Sequence, residues 1–269
     1  MPRFFSPVAI AFAVLATILV SNVAHAASPL PHAHAHNDYW HTQPLIDALD
    51  HGFSSVEADV FFTGEKLLVG HDLFELRSQR TLQSLYLDPL RERVKQNGGS
   101  VYKDGPRFML MIDFKSDGEQ TFKALEAVLA NYREMLCRVE SGKLIDGPIQ
   151  IVVSGNRPIE TMKETENRLC FVDGRVENLT GKSYDKNLMP VVSDRWTKYF
   201  QWTGKGSMPE NEKKQLRQFV DAAHANGQRV RFWATPEKDA VWQALLDADV
   251  DHINSDQLER LEEFLRNGK

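Results

Sequence analysis

From about residue 30 onward the chain repeats one pattern: a short, largely apolar run, then a longer stretch whose apolar positions recur at helical spacing. The apolar runs fall at His32–His36, Ser55–Phe61, Phe108–Phe114, Ile149–Ser154, Leu169–Asp173, Met189–Ser193, Arg229–Ala234 and His252–Asn254, which makes eight. Runs of this length suit strands buried on both faces, as in a parallel sheet. Helices are predicted over Pro44–Asp50, Leu82–Gln96, Phe122–Leu136, Pro158–Asn167, Glu210–Asn226, Ala240–Ala248 and Gln257–Arg266. Asn97-Gly98-Gly99 and Asn226-Gly227 supply C-terminal stops, and Pro209 suits a first helical turn. Lys66–Gly70 follows Thr63-Gly64-Glu65 and reads as a hairpin arm hung from the second strand. Eight strands with helices between them predict an α/β chain closed as a (β/α)8, or TIM, barrel. An open doubly wound sheet would show a glycine-rich phosphate loop after its first strand, and the sequence has none.

The first residues belong to a different pattern. Arg3 precedes an apolar stretch from Val8 to Val20, and Ala24-His25-Ala26 is a small-x-small cleavage site, so 1–26 reads as a secretory signal. Cleavage leaves 27–269 as a single barrel domain in an exported, periplasmic or secreted location. The alternative is an uncleaved N-terminal anchor. With 32 Lys+Arg against 37 Asp+Glu, the chain lacks the basic excess of a nucleic-acid binder. Cys137 and Cys170 are its only cysteines, and sequence leaves open a disulfide or two buried thiols.

Chemistry in such a barrel belongs at the carboxyl ends of the strands. Glu57 and Asp59 lie two apart on one strand and so point to the same side, into the barrel mouth. Two carboxylates in a partly dry cavity repel each other unless a cation compensates. Asp113 and Lys115 repeat the spacing at the next strand end. All-oxygen ligands favour Mg²⁺ or Ca²⁺. Among the nine histidines, His32, His34 and His36 share a face by period two, which also suits a metal-binding tail. His71 is followed by Asp72, a candidate to orient its ring.

The ordered motifs His36-Asn37-Asp38-Tyr39, Val56-Glu57-Ala58-Asp59-Val60 and Leu68-Val69-Gly70-His71-Asp72 resemble the glycerophosphodiester phosphodiesterase and phosphatidylinositol-specific phospholipase C-like superfamily. Within it, the resemblance is to the subgroup named after altered inheritance of mitochondria protein 6. Ile112-Asp113-Phe114-Lys115, Trp202-Thr203-Gly204-Lys205-Gly206, Arg231-Phe232-Trp233-Ala234-Thr235-Pro236 and Ile253-Asn254-Ser255-Asp256 extend it to about Leu258. The resemblance implies a phosphoric diester hydrolase with His36 and His71 as the catalytic pair. It also implies one divalent cation on Glu57, Asp59 and Asp113, with Lys115 neutralising the phosphate. The chain departs from the usual His-Arg-Gly at the first site, where it has His36-Asn37-Asp38. The lost arginine removes a bidentate phosphate donor, which shifts charge neutralisation to Asn37, Lys115, Arg231 or the metal.

Arg231 and Trp233 alternate on the seventh strand, offering a phosphate donor and an apolar wall, and Asn254 stands at the end of the eighth. The aromatic loop Trp196, Tyr199, Phe200, Trp202 is expected to pack on the barrel rim, with membrane contact as its alternative role. A small phosphodiester or a phospholipid is the expected substrate. Two rival classes are a metal-dependent amidohydrolase, suggested by His34-Ala35-His36, and a nonenzymatic exported metal-binding protein. No histidine occurs between His71 and His224 to serve the first, and the second leaves the carboxylates and Lys115 without a role.

Overall fold

The computed structural model describes residues 27–180 and 184–268, so the expected signal segment 1–26 lies outside the described residues. In chain order the strands are β1 (Leu30–Ala35), β2 (Phe53–Phe62), β3 (Leu67–Val69), β4 (Phe108–Phe114), β5 (Arg138–Glu140), β6 (Lys143–Ile145), β7 (Ile149–Gly155), β8 (Phe171–Gly174), β9 (Val191–Arg195), β10 (Arg229–Trp233) and β11 (His252–Ser255). Eight of them pair in parallel in the order β1, β2, β4, β7, β8, β9, β10, β11, and β11 returns to β1, which closes the barrel. β3 lies antiparallel on β2 as the expected arm. The separate antiparallel pair β5–β6 has no counterpart in the sequence reading.

Period-two alternation decides which side chains reach the interior. On β4, Phe108, Leu110, Ile112 and Phe114 join the large core shared with the helices, whereas Met109 and Met111 pack with Val152, Phe171 and Val191 in a second cluster. On β2, Val56, Ala58 and Val60 belong to the helix-side core, which turns Ser55, Glu57 and Asp59 inward. Each fully buried aliphatic or aromatic side chain contributes roughly 1.5–3 kcal/mol. This helix-side layer therefore offsets the cost of the polar groups inside the barrel, which must find partners there.

Helix boundaries follow local chemistry. Asp117 caps Gly118–Leu129 by accepting the Gln120 N–H at 2.9 Å, so this helix starts earlier than expected, and it tightens into a 3-10 turn over Ala130–Met135. The helix expected over Pro158–Asn167 shortens to Ile159–Glu164, because Thr165 turns extended. The aromatic loop packs inward as expected: Trp196, Phe200 and Trp202 are buried, and the Trp196 ring lies 4.2 Å from Phe200 and 5.9 Å from Phe232 between centroids. Cys137 and Cys170 are buried free thiols, and Cys170 donates to Glu126 Oε1 at 3.4 Å.

Candidate active site

The β2–β4 register sets Asp59 beside Asp113, and alternation adds Glu57 one step deeper. Oxygen atoms of the three carboxylates lie within 4.8 Å of one another. They sit in a pocket of about 410 Å³ that His36, Asn37, Trp40, His71, Lys115, Ser154, Arg175, Arg231 and Trp233 also line. Burial and the neighbouring Glu57 charge raise the carboxyl pKa of Asp59, and push that of Asp113 up to about 6. Burial acts on Glu57 in the same sense and is the largest single influence, but Arg231, the His34 hydrogen bond and the His36 charge together outweigh it and hold this carboxyl well below its ordinary range. Lys115 Nζ stands 3.0 Å from Asp59 Oδ2 and 3.4 Å from Asp113 Oδ1. Asp59 Oδ1 is buried and has no hydrogen-bond partner. An orphaned buried carboxylate oxygen among three clustered acids fits a hard divalent ion. No other cluster of three metal-ligating side chains occurs among the described residues.

Each pocket histidine is anchored through Nδ1. His36 Nδ1 lies 2.7 Å from Asp256 Oδ1, because closure of β1 on β11 pairs Ala35 with Ser255. Burial opposes a charge on this ring, but the Asp256 hydrogen bond and the Glu57 charge prevail and raise its pKa. His71 Nδ1 lies 2.8 Å from Asp59 Oδ2 and 3.3 Å from the Tyr39 hydroxyl. Asp72, the partner expected from adjacency, does not fill this role. Pairing of Val60 with Val69 carries His71 back to Asp59 across the hairpin arm. Tyr39 Oη is 2.7 Å from both Asp59 Oδ2 and Asn37 Oδ1, and Asn37 holds a left-handed turn at φ 48°. His32 and His34 lie in barrel strand β1 and His36 directly follows it, so the segment is part of the barrel rather than a tail. His34 is fully buried against Ser55 Oγ at 2.6 Å, and burial with the nearby Arg231 lowers its pKa to about 4.

Arg231, expected as a phosphate donor, lines the floor of the pocket and is only 3% exposed. Its Nη1 donates to Glu57 Oε2 at 2.6 Å and Asn254 Oδ1 at 2.8 Å and lies 2.7 Å from His34 Nε2, while Nε donates to Ser193 Oγ at 3.2 Å. In this arrangement it fixes Glu57, and Asn254 serves the same floor network. Trp233 stands at the pocket wall, with the Arg175 guanidinium 4.9 Å from its ring centroid. Arg175 escaped the sequence reading, although it follows the fifth barrel strand directly. Its Nη1 donates to Asp173 Oδ2 at 2.7 Å. Gly155, at φ 68°, ends β7 where a Cβ would stand 2.2 Å from Asp113 Oδ1 and 2.5 Å from Phe114 O.

The AIM6-like phosphodiesterase domain is matched over residues 22–173, more than half of the chain. The chain belongs to the AIM6-like phosphodiesterase family. Residues 229–259 also match the glycerophosphoryl diester phosphodiesterase family. The altered inheritance of mitochondria protein 6 homolog of Arthroderma benhamiae is 30% identical over 88% of this chain and 84% of its own length. The altered inheritance of mitochondria protein 6 of Eremothecium gossypii is 29% identical over 87% and 69%. A glycerophosphodiester phosphodiesterase from Parabacteroides distasonis has the same barrel, with a TM-score of 0.53 at 13% identity over 90% of this chain and 99% of that one. This family assignment and fold agree with the resemblance drawn from the ordered motifs.

Proposed function

We propose that this AIM6-like protein is an exported, metal-dependent phosphoric diester hydrolase acting on a glycerophosphodiester or a phospholipid head group, with His36 and His71 as its acid–base pair. The observation that carries this reading is that two imidazoles, each held at Nδ1 by a carboxylate, line one pocket with the acid cluster and Lys115. Cleaving a phosphodiester needs a proton taken from the attacking oxygen, a proton given to the departing alkoxide, and charge stabilised on the nonbridging oxygens. Anchoring at Nδ1 leaves Nε2 of each ring for the first two tasks. Lys115 and Asn37 face the third, and Arg175 supplies the guanidinium that the His36-Asn37-Asp38 motif lacks. Glu57, Asp59 and Asp113 would hold one Mg²⁺ or Ca²⁺, which when bound supplies Lewis-acid stabilisation of phosphate charge. Arg231 keeps Glu57 ionised and in place, and Asp59 orients His71.

The test is hydrolysis of bis-p-nitrophenyl phosphate and a panel of glycerophosphodiesters and phospholipids with Mg²⁺ or Ca²⁺. His71→Ala is expected to lower the rate by about 10²-fold or more, and Glu57→Gln to abolish calorimetric binding of the ion. Wild-type rates in His71→Ala would overturn the assignment. Export is checked by N-terminal sequencing of the mature protein, with Ala27 expected first.

A further inference from the structure

The surface beside His71 carries an apolar patch that the chemistry above leaves without a task. Four large hydrophobic side chains are exposed among the described residues: Trp40 at 56%, Leu73 at 72%, Phe74 at 76% and Leu144 at 42%. Leu144 lies apart on β6. The other three share the rim of the pocket. Trp40 lines the pocket itself, with its ring 5.5 Å from His71 between centroids, and Leu73 and Phe74 occupy the short turn Leu73–Glu75 that follows His71-Asp72. Glu75 Oε2 ties the two pieces together, accepting the His71 N–H at 2.6 Å and the Trp40 indole N–H at 3.5 Å.

This turn is held open. Arg77 Nη1 donates to the carbonyls of Phe74 at 2.8 Å and Leu76 at 2.9 Å, and Glu75 N–H donates to Asp72 O at 3.0 Å. A braced turn that presents leucine and phenylalanine to water beside a catalytic histidine marks a contact surface. The pocket next to it is lined mainly by carboxylates, imidazoles and cations and measures about 410 Å³. It has room and polarity for a phosphodiester head group and none for acyl chains, which must remain outside, where the patch lies. Asp72 and Glu75 are balanced by Arg77 and Arg80, so the rim has no strong charge of its own and complements a zwitterionic surface. Tryptophan beside aliphatic and phenyl groups suits the boundary between head groups and chains.

We infer that Trp40, Leu73 and Phe74 form an interfacial docking rim that seats the pocket on a zwitterionic phospholipid surface, so that a bilayer lipid presents its head group to His36 and His71. The inference rests on the phosphodiesterase reading for what enters the pocket, while docking itself needs no turnover. The aromatic loop 196–202, the other candidate for such contact, packs its rings into the core shared with the helices instead.

The test compares wild type with Leu73→Ser/Phe74→Ser, which leaves the pocket lining intact. Phosphatidylcholine vesicles are floated with each protein, with melting temperature as the check on folding. Wild type is expected to partition onto the vesicles, the double variant about tenfold or more less, and both to be insensitive to salt between low and moderate ionic strength. A second readout, quenching of tryptophan fluorescence by brominated phosphatidylcholine, is expected in wild type and lost in Trp40→Ala. Activity on soluble bis-p-nitrophenyl phosphate should match in wild type and the double variant, while hydrolysis of vesicular lipid falls. No partition of the wild type, or equal partition of the two proteins, overturns the docking rim even if soluble diesters are cleaved. Partition lost in the variant upholds it even if no diester is cleaved, a result that would overturn only the phosphodiesterase reading.

Discussion

Arg231→Met tests whether one buried guanidinium holds the centre of the site together. Arg231 and Glu57 are both almost fully buried, and their 2.6 Å contact is joined by bonds to Asn254 and Ser193. Removing one partner of such a pair leaves an uncompensated buried charge, at about 3–5 kcal/mol. For a chain of this size each kcal/mol moves the melting temperature by about 2–4 °C, so a fall of roughly 10 °C is expected. Glu57→Gln/Arg231→Met removes the stranded charge as well, and should recover about 2 kcal/mol relative to the sum of the two single variants. Urea unfolding followed by tryptophan fluorescence in the presence of EDTA gives the cycle without metal linkage, provided the m-values agree. A loss below about 1 kcal/mol in Arg231→Met, or strict additivity of the pair, would refute the claim that Arg231 acts through Glu57.

Asp38 gives a pH signature separate from the metal ligands. Its carboxyl is fully buried, and burial, only partly offset by the Leu45 N–H it accepts at 2.6 Å, pushes its pKa up to about 7. The native state keeps this proton while the unfolded chain loses it near pH 4, so stability falls as pH rises from about 4 to about 7, by roughly 4 kcal/mol when fully ionised. Asp38→Asn should make the slope of denaturation midpoints between pH 4 and pH 8 shallower, leaving the share of the same sign that comes from the raised carboxyls of Asp59 and Asp113, and an unchanged wild-type profile in the variant rules the argument out. Gly155→Ala places a Cβ against Asp113 Oδ1 and Phe114 O in a left-handed backbone, so about 1–2 kcal/mol of stability and most of the affinity for Mg²⁺ or Ca²⁺ should be lost. Unaltered ion binding by calorimetry would contradict that close approach.

The barrel was legible because its strands are buried on both faces. Phe108–Phe114 and Ile149–Ser154 carry apolar side chains to the helices and to the interior alike, which no half-exposed strand does. The β5–β6 hairpin was illegible for the opposite reason: each strand is three residues long, and the single Val139–Leu144 pair flanked by Arg138, Glu140 and Lys143 is too short an alternation to detect. Arg175 was passed over because Asp173-Gly174-Arg175 carries no motif, and its place at the pocket follows from where β8 ends.

Reactive groups and their partners differ in how they are encoded. Glu57, Asp59 and Asp113 declare themselves by spacing along single strands, since alternation alone aims them inward. The partner of His71 depends on the register between β2 and β3, and that of His36 on the closure of β1 against β11, across 220 residues. Adjacency suggested Asp72 for the first, yet the β2–β3 register sets Asp59 opposite Gly70, one residue before His71, and the ring reaches Asp59 from there. Arg231 shows the same effect: its spacing with Trp233 turned it inward, but its depth along β10, which sets it against Glu57, follows only from the closed barrel. Strand alternation fixes direction, while pairing between strands fixes depth and partner. In this chain, the candidate metal ligands are therefore readable one strand at a time, and the partners that orient the candidate site require the closed barrel.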